Sequence, residues 1–234
     1  MSFYDKYLKY KSKYLNLKNS VGGGDKFIDA VKSHDYELVE RKLTEKHGLV
    51  NSHYADCNQL ECKTGYTPFL IALNNRDLKM GELLIKYGAD VNIANLHTKL
   101  PPILEVITLI ADYKVDDDAS IATLQSNILD DGKLVKLLKW VEIILTAGGS
   151  LMATGLKQSK TQLLQVDVSK INKIQLDIFY KGFKNTLSFF KALKSYPHAI
   201  FVKYPSEEKI EFNVTDKLIE SVSIEIENLR YWMR

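Results

Sequence analysis

Apolar residues in this chain recur mostly three or four positions apart, the spacing of one helix face. Residues 3–19, FYDKYLKYKSKYLNLKN, set Tyr7, Leu8, Tyr14 and Leu15 at i and i+7 between lysines, which predicts a basic helix with a narrow apolar stripe. Gly22, Gly23 and Gly24 end it, because three glycines lose too much backbone entropy for a helix to run through them. The segment 64–95, TGYTPFLIALNNRDLKMGELLIKYGADVNIAN, predicts two short helices joined by a turn. Thr67 can cap the first by accepting a free backbone N–H, and Pro68 fits its first position, where a missing N–H is not felt. Ala72 is small enough for helices to approach closely. Met80, Leu83 and Leu84 form the apolar face of the second helix, Gly88 supplies a left-handed residue to end it, Ala89 follows, and Asp90 and Asn92 favour a turn.

The same pattern returns twice in weaker form. Upstream, Phe27 to Asn51 sets Ala30, Val39, Leu43, Gly48 and Asn51 in the roles of Ala72, Met80, Leu84, Gly88 and Asn92, without the Thr-Pro pair. HYADCNQLECKT then reads as a long connecting loop. Downstream, Leu100-Pro101 follows Thr67-Pro68 by 33 residues and opens PPILEVITLIADY. The matching second helix comes only at KLVKLLKWVEIILTAGGSL, where Ile144, Leu145, Gly148 and Leu151 stand for Leu84, Ile85, Gly88 and Val91. Gly88 and Gly148 are 60 residues apart, so the unit carries an insertion, 113–132, with Asp116, Asp117 and Asp118 and an apolar stretch, Ile121 to Leu129.

In the C-terminal third, Ile171 to Lys194 reads as a helix in which Gly182 marks a kink or a boundary. AIFVKY and KIEFNV flank the turn-like PSEE as a short hairpin, and Thr215 caps a last helix that closes on Tyr231 and Trp232.

Segment 64–95 resembles an ankyrin repeat, with the glycine, Thr67-Pro68, Ala72, Leu83-Leu84 and the Gly88-Ala89-Asp90-x-Asn92 ending in register. One departure is Leu70, where the family usually has His, so the family's Thr–His hydrogen bond is absent. The resemblance implies a mainly α fold, a helical solenoid of about three units (about 27–51, 64–95 and 96–154) over residues 25–154. Residues 1–24 precede it as helix and linker, and 155–234 close it as a helical cap with a short β-hairpin. It further implies a non-enzymatic protein-binding module. Family members generally bind through turn tips and the concave face of the first helices. On this chain those positions are Asn92, Asn95 and His97 in the turn, and Leu70, Asn74 and Asn75 with Lys32 and His34 of the first unit. The N-terminal KYLKYKxKYLxLK pattern and glycine run resemble the N-termini of proteins of amoeba-infecting giant viruses of the mimivirus group. That implies a viral protein of the host cytoplasm or virus factory, or one packaged in the virion, with a host or viral protein as partner.

Composition limits the alternatives. The 234 residues are 45% hydrophobic and 26% charged with 12 Gly and 5 Pro, which excludes a disordered, collagen-like or disulfide-scaffold chain. Uncharged apolar runs fall short of the roughly 18 residues of a membrane span, and the N-terminal lysines have no apolar segment behind them to make a secretory signal. Residues 1–20 carry +4 of a net +3, 155–194 carry +6 and 207–227 carry −5, so the C-terminal third is polarised. Only four of 32 basic residues are Arg, which argues against base-specific nucleic-acid reading; an AT-rich genome would give the same bias. A structural role in the virion or virus factory, anchored by the basic first helix, is the alternative function. No F-box opening follows the repeats to suggest a ubiquitin-ligase adaptor.

No phosphate loop, nucleophile elbow or paired metalloprotease histidines occur, and no cofactor is expected. His47, His53, Cys57 and Cys62 fall within 16 residues and hold the ligand types of a tetrahedral zinc site, but not finger spacing. A Cys57–Cys62 disulfide or two ordinary loop thiols are the other readings. The Asp116–Asp118 run lacks the alternating acids of a calcium loop and reads as solvated.

Overall fold

The structure, a computed structural model, describes residues 26–58, 61–116, 119–151, 171–195, 200–202 and 208–234. The expected basic helix of residues 3–19, Gly22–Gly24, Asp117, Asp118, residues 152–170, His198 and Pro205–Glu207 lie outside them. The chain divides into two compact units at Ala89/Asp90.

The described part of unit 1 is two helix pairs separated by a hairpin: α1 (residues 26–32) with α2 (Tyr36–Glu45), then β1 (Tyr54–Asn58) with β2 (Glu61–Tyr66), then α3 (Pro68–Asn74) with α4 (Leu78–Lys86). The two pairs turn in the same way. The N–H of Asp35 donates to the carbonyl of Ala30, and that of Asp77 to Ala72, both at 2.9 Å. The residue just before each Asp is left-handed, His34 at φ 60° and Arg76 at φ 56°. Each Asp then caps the helix it precedes: Asp35 accepts from the N–H of Leu38 and Asp77 from that of Met80. Phe27, Val31, Val39, Leu43, Met80 and Leu84 supply the core, with all of α3 from Pro68 to Leu73. Leu83, expected on the same face as Met80 and Leu84, is only half-buried. At the end of α4, Gly88 is left-handed at φ 86°, and Ala89 N–H reaches back to the Leu84 carbonyl (2.9 Å). Gly48, expected in the same role, instead sits in a one-turn 3-10 helix (His47–Leu49) and is not left-handed.

The connection read as a loop is the antiparallel hairpin β1–β2, with Cys57 opposite Cys62 in register and an irregularity at Tyr54/Ala55. Tyr54 anchors its base by donating to the Leu49 carbonyl (3.1 Å) and lying against Phe27. Burial pushes its hydroxyl up to about 12.

Unit 2 begins with a turn and α5 (Pro102–Ile110), followed by α6 (Ile121–Asp130), α7 (Gly132–Thr146), α8 (Lys173–Lys194), the short hairpin β3 (Ile200–Val202) with β4 (Glu208–Ile210), and α9 (Asp216–Trp232). α5 packs on both α7 and α8, and α8 on α9. Asp131 caps α7 through the N–H groups of Lys133 and Leu134, and Trp140, Val141 and Ile144 are fully buried. α7 ends as α4 does, with Gly148 at φ 88° and Gly149 N–H on the Ile144 carbonyl (2.8 Å).

The sequence reading of Gly182 as a kink or boundary is corrected: it lies inside the continuous α8, where α8 meets α5. A Cβ there would stand 2.3 Å from the Ile107 carbonyl oxygen. Three residues on, buried Asn185 donates to the Ile110 and Tyr113 carbonyls (3.1 and 2.8 Å), which ties α8 to the end of α5 and the turn that follows it. On α9, buried Glu225 accepts from the Ser150 hydroxyl (2.6 Å) and the Leu151 N–H (3.3 Å), so this helix closes over the turn that ends α7. α9 ends at Trp232, as expected, but that tryptophan, which its apolar helix pattern places in the core, is only half-buried, and Tyr231 beside it is 75% exposed.

Candidate partner-binding edge

Two turns of unit 1, residues 33–35 and 74–77, carry a linked set of polar side chains. Asp77, almost fully buried, is its centre. Besides capping α4 (Met80 N–H to Oδ1, 3.0 Å), it accepts from His34 Nδ1 at 2.5 Å and from the Tyr36 hydroxyl at 3.1 and 3.2 Å. Lys79 places its ammonium 4.1 Å from the centre of the Tyr36 ring. Below this cluster Glu40 of α2 accepts from Lys86 (3.0 Å) and Tyr87 (2.9 Å), and these bonds hold its carboxyl below the usual range.

A carboxylate that pins Nδ1 of a histidine resembles half of a general-base arrangement. The adjacent hydroxyl, Ser33, is bonded to the Ala30 carbonyl (3.3 Å). The cluster thus joins two helix pairs, and what it offers outward is the strip beside it. Asn74, Asn75 and Arg76 are consecutive and exposed, and their side chains make no hydrogen bond or ion pair among the described residues. Arg76 holds a left-handed backbone that costs a residue with a Cβ about 1–2 kcal/mol. His34 bears the same cost at the equivalent position but offsets it through Asp77.

The other partner-binding positions fall differently. Leu70 is fully buried in α3 and is unavailable to a partner, because α3 is enclosed on every side. Lys32 is half-buried and already engaged. In unit 2, Asn92 is spent on the fold: its Nδ2 donates to the Gly148 carbonyl (3.2 Å) and its Oδ1 accepts from the Ser150 N–H (3.0 Å). Asn95 is fully buried and its Oδ1 shapes the next turn by accepting from the N–H groups of His97 (2.7 Å) and Thr98 (3.4 Å); its Nδ2 has no acceptor among the described residues. His97 is exposed, as is Lys99, left-handed at φ 60°. Thr98 donates to Glu105 in the first turn of α5 (3.1 Å), and burial pushes that carboxyl up to about 7.

His47 and His53 are exposed, and Cys57 and Cys62 are described only by their strand register. Among the described residues no group of three or more His, Cys, Asp or Glu could hold a metal ion, and no helix is long and apolar enough to cross a membrane.

Residues 64–96 match the family model "Ankyrin repeat". The chain thus contains an ankyrin repeat, made of the end of β2, α3, α4 and the turn that opens unit 2. No curated protein and no solved structure matches the chain. Arg76 was absent from the sequence reading of the site; the signal that could have found it is a non-glycine residue at the point where a helix pair turns.

Proposed function

We propose that this protein is a non-enzymatic protein–protein interaction module whose partner lies along Asn74, Asn75 and Arg76, beside the His34–Asp77–Tyr36 cluster of unit 1. The observation that carries this reading is the coincidence of two things in one segment. Residues 64–96 match a family whose repeats are generally protein-interaction modules, and the only run in that segment of three consecutive exposed polar side chains left unused by the described fold is Asn74–Arg76. The His34–Asp77 pair serves to fix the strip rather than to perform chemistry.

The N-terminal lysine pattern supports a viral origin, with a host or viral protein as partner in the cytoplasm or virus factory. The same +4 segment favours a second reading, a structural component of the virion or factory.

Affinity capture from infected cells with full-length protein, beside a double variant N74A/N75A, separates the two. A host protein retained by the wild type and lost by the double variant, at equal melting temperature, supports the interaction reading. Virion proteins retained equally by both would favour the structural one.

A further inference from the structure

The inference concerns Arg76 and rests on the interaction reading above. At the left-handed position that ends a helix the residue of lowest cost is glycine, and this chain uses glycine in that role at Gly88 and Gly148. Where it uses histidine, at His34, the side chain is bonded to Asp77. At Arg76 the backbone strain is the same, yet the guanidinium is exposed and makes no hydrogen bond or ion pair to any described residue. The fold therefore gives no return for carrying a side chain at position 76.

We propose that Arg76 is the anchor of the partner-binding strip and that its partner is an acidic protein segment, one Asp or Glu of which pairs with the guanidinium. The fork of N–H groups on arginine matches a carboxylate with two parallel bonds. Asn74 and Asn75, next in the chain, offer amide donors and acceptors to the backbone of the same segment, and the ammonium of Lys79 extends the positive charge along the turn. The exposed acids of the neighbouring turn and helix, Asp35 and Glu37, make the edge unsuited to a continuous polyanion such as nucleic acid. They leave room for one or two carboxylates. The short turns 33–35 and 74–77 are tied together through Asp77, so the anchor is held in place before the partner arrives.

The test is selection of random displayed peptides on the full chain, followed by affinity measurement of the selected peptides by fluorescence anisotropy. Expected are peptides enriched in Asp and Glu over the input library. R76G should weaken them at least tenfold, replacing their acids by Asn or Gln should do the same, and R76K should lie between. R76G should melt no lower than the wild type, since glycine suits the backbone there, so lost binding cannot be lost folding. Selected peptides without acid enrichment, or affinities that R76G changes less than twofold, would overturn the proposal. If such peptides still respond to N74A/N75A, the interaction reading stands and only the arginine anchor falls. Selection of no peptide above the bare-support background counts against both.

Discussion

The side-chain amide of Asn92 donates to the backbone carbonyl of Gly148 across 56 residues of sequence, at 3.2 Å. The same bond joins Asn51 to Gly88, at 3.0 Å. In both cases the acceptor is the carbonyl of the left-handed glycine that ends a helix. Each Asn thus reaches, within its own unit, the left-handed glycine at the end of a later helix.

Removing Asn92 tests this. Asn92→Ala deletes the bond to Gly148 and frees the Ser150 N–H, which donates to Asn92 Oδ1 at 3.0 Å. Two partly exposed bonds should together be worth about 1–2 kcal/mol. Chemical denaturation should show that loss with an unchanged dependence on denaturant. A loss below about 0.3 kcal/mol would mean water replaces the amide freely.

Gly182 and Gly88 are needed for opposite reasons, and alanine distinguishes them. At 182 the backbone is helical, but a methyl would stand 2.3 Å from the Ile107 carbonyl oxygen and 2.6 Å from its Cγ2, so α8 must move off α5. At 88 there is open space, and only the φ of 86° resists a side chain. Gly182→Ala should cost about 2–3 kcal/mol or more as overpacking, and Gly88→Ala about 1 kcal/mol as backbone strain. Thermal melts of the two variants would refute this ordering if Gly88→Ala were the worse.

Asp77 and Asp35 cap equivalent helices, so a difference between their alanine variants isolates what the cluster adds. Asp35 is exposed and caps only Leu38. Its loss should cost about 1 kcal/mol. Asp77 also holds His34 and Tyr36, and Asp77→Ala should cost about 2–3 kcal/mol, because the half-buried Tyr36 and the exposed His34 lose their acceptor in addition to the cap. Equal losses on urea denaturation would show that the cluster contributes nothing beyond the cap.

What was legible in the sequence was local. Thr67 and Thr215 are caps followed directly by apolar helix spacing, and Gly88 and Gly148 follow the last apolar residue of a helix; such signals act over four or five residues. The hidden parts depend on partners distant in sequence. Gly182 signals only smallness, and whether that means a kink or a close approach is decided by Ile107, 75 residues earlier. Leu70 was given to the binding face by resemblance alone, because α3 is apolar from Pro68 to Leu73 and a helix buried all round has no period that assigns a side. The β1–β2 hairpin lacks β-branched alternation, so His53 to Thr64 read as a loop. At the edge of unit 1, Asn74 and Asn75 were legible as polar residues at a helix end. Arg76 was not, because its significance lies in a backbone angle.

Glu105 gives the chain a pH dependence with a sign that can be worked out. Its carboxyl has an ordinary value of 4.5 and is pushed up to about 7 by burial, the Thr98 hydroxyl opposing part of that. The folded state therefore holds the proton more tightly than the unfolded chain. Its contribution to stability is complete below pH 4.5, falls as pH rises from there, and is fully lost above about 7. At about 1.4 kcal/mol per pH unit, that interval corresponds to at most about 3.5 kcal/mol. Glu105→Gln keeps an acceptor for Thr98 and removes the ionisation. The variant should match the wild type near pH 4.5 and exceed it by about 1–3 kcal/mol at pH 8. Because other groups titrate equally in both proteins, the difference between their denaturation curves at pH 4.5, 6 and 8 reads Glu105 alone. A difference that stayed constant over that range, or grew towards acid, would show that the Glu105 carboxylate is not destabilised by its surroundings.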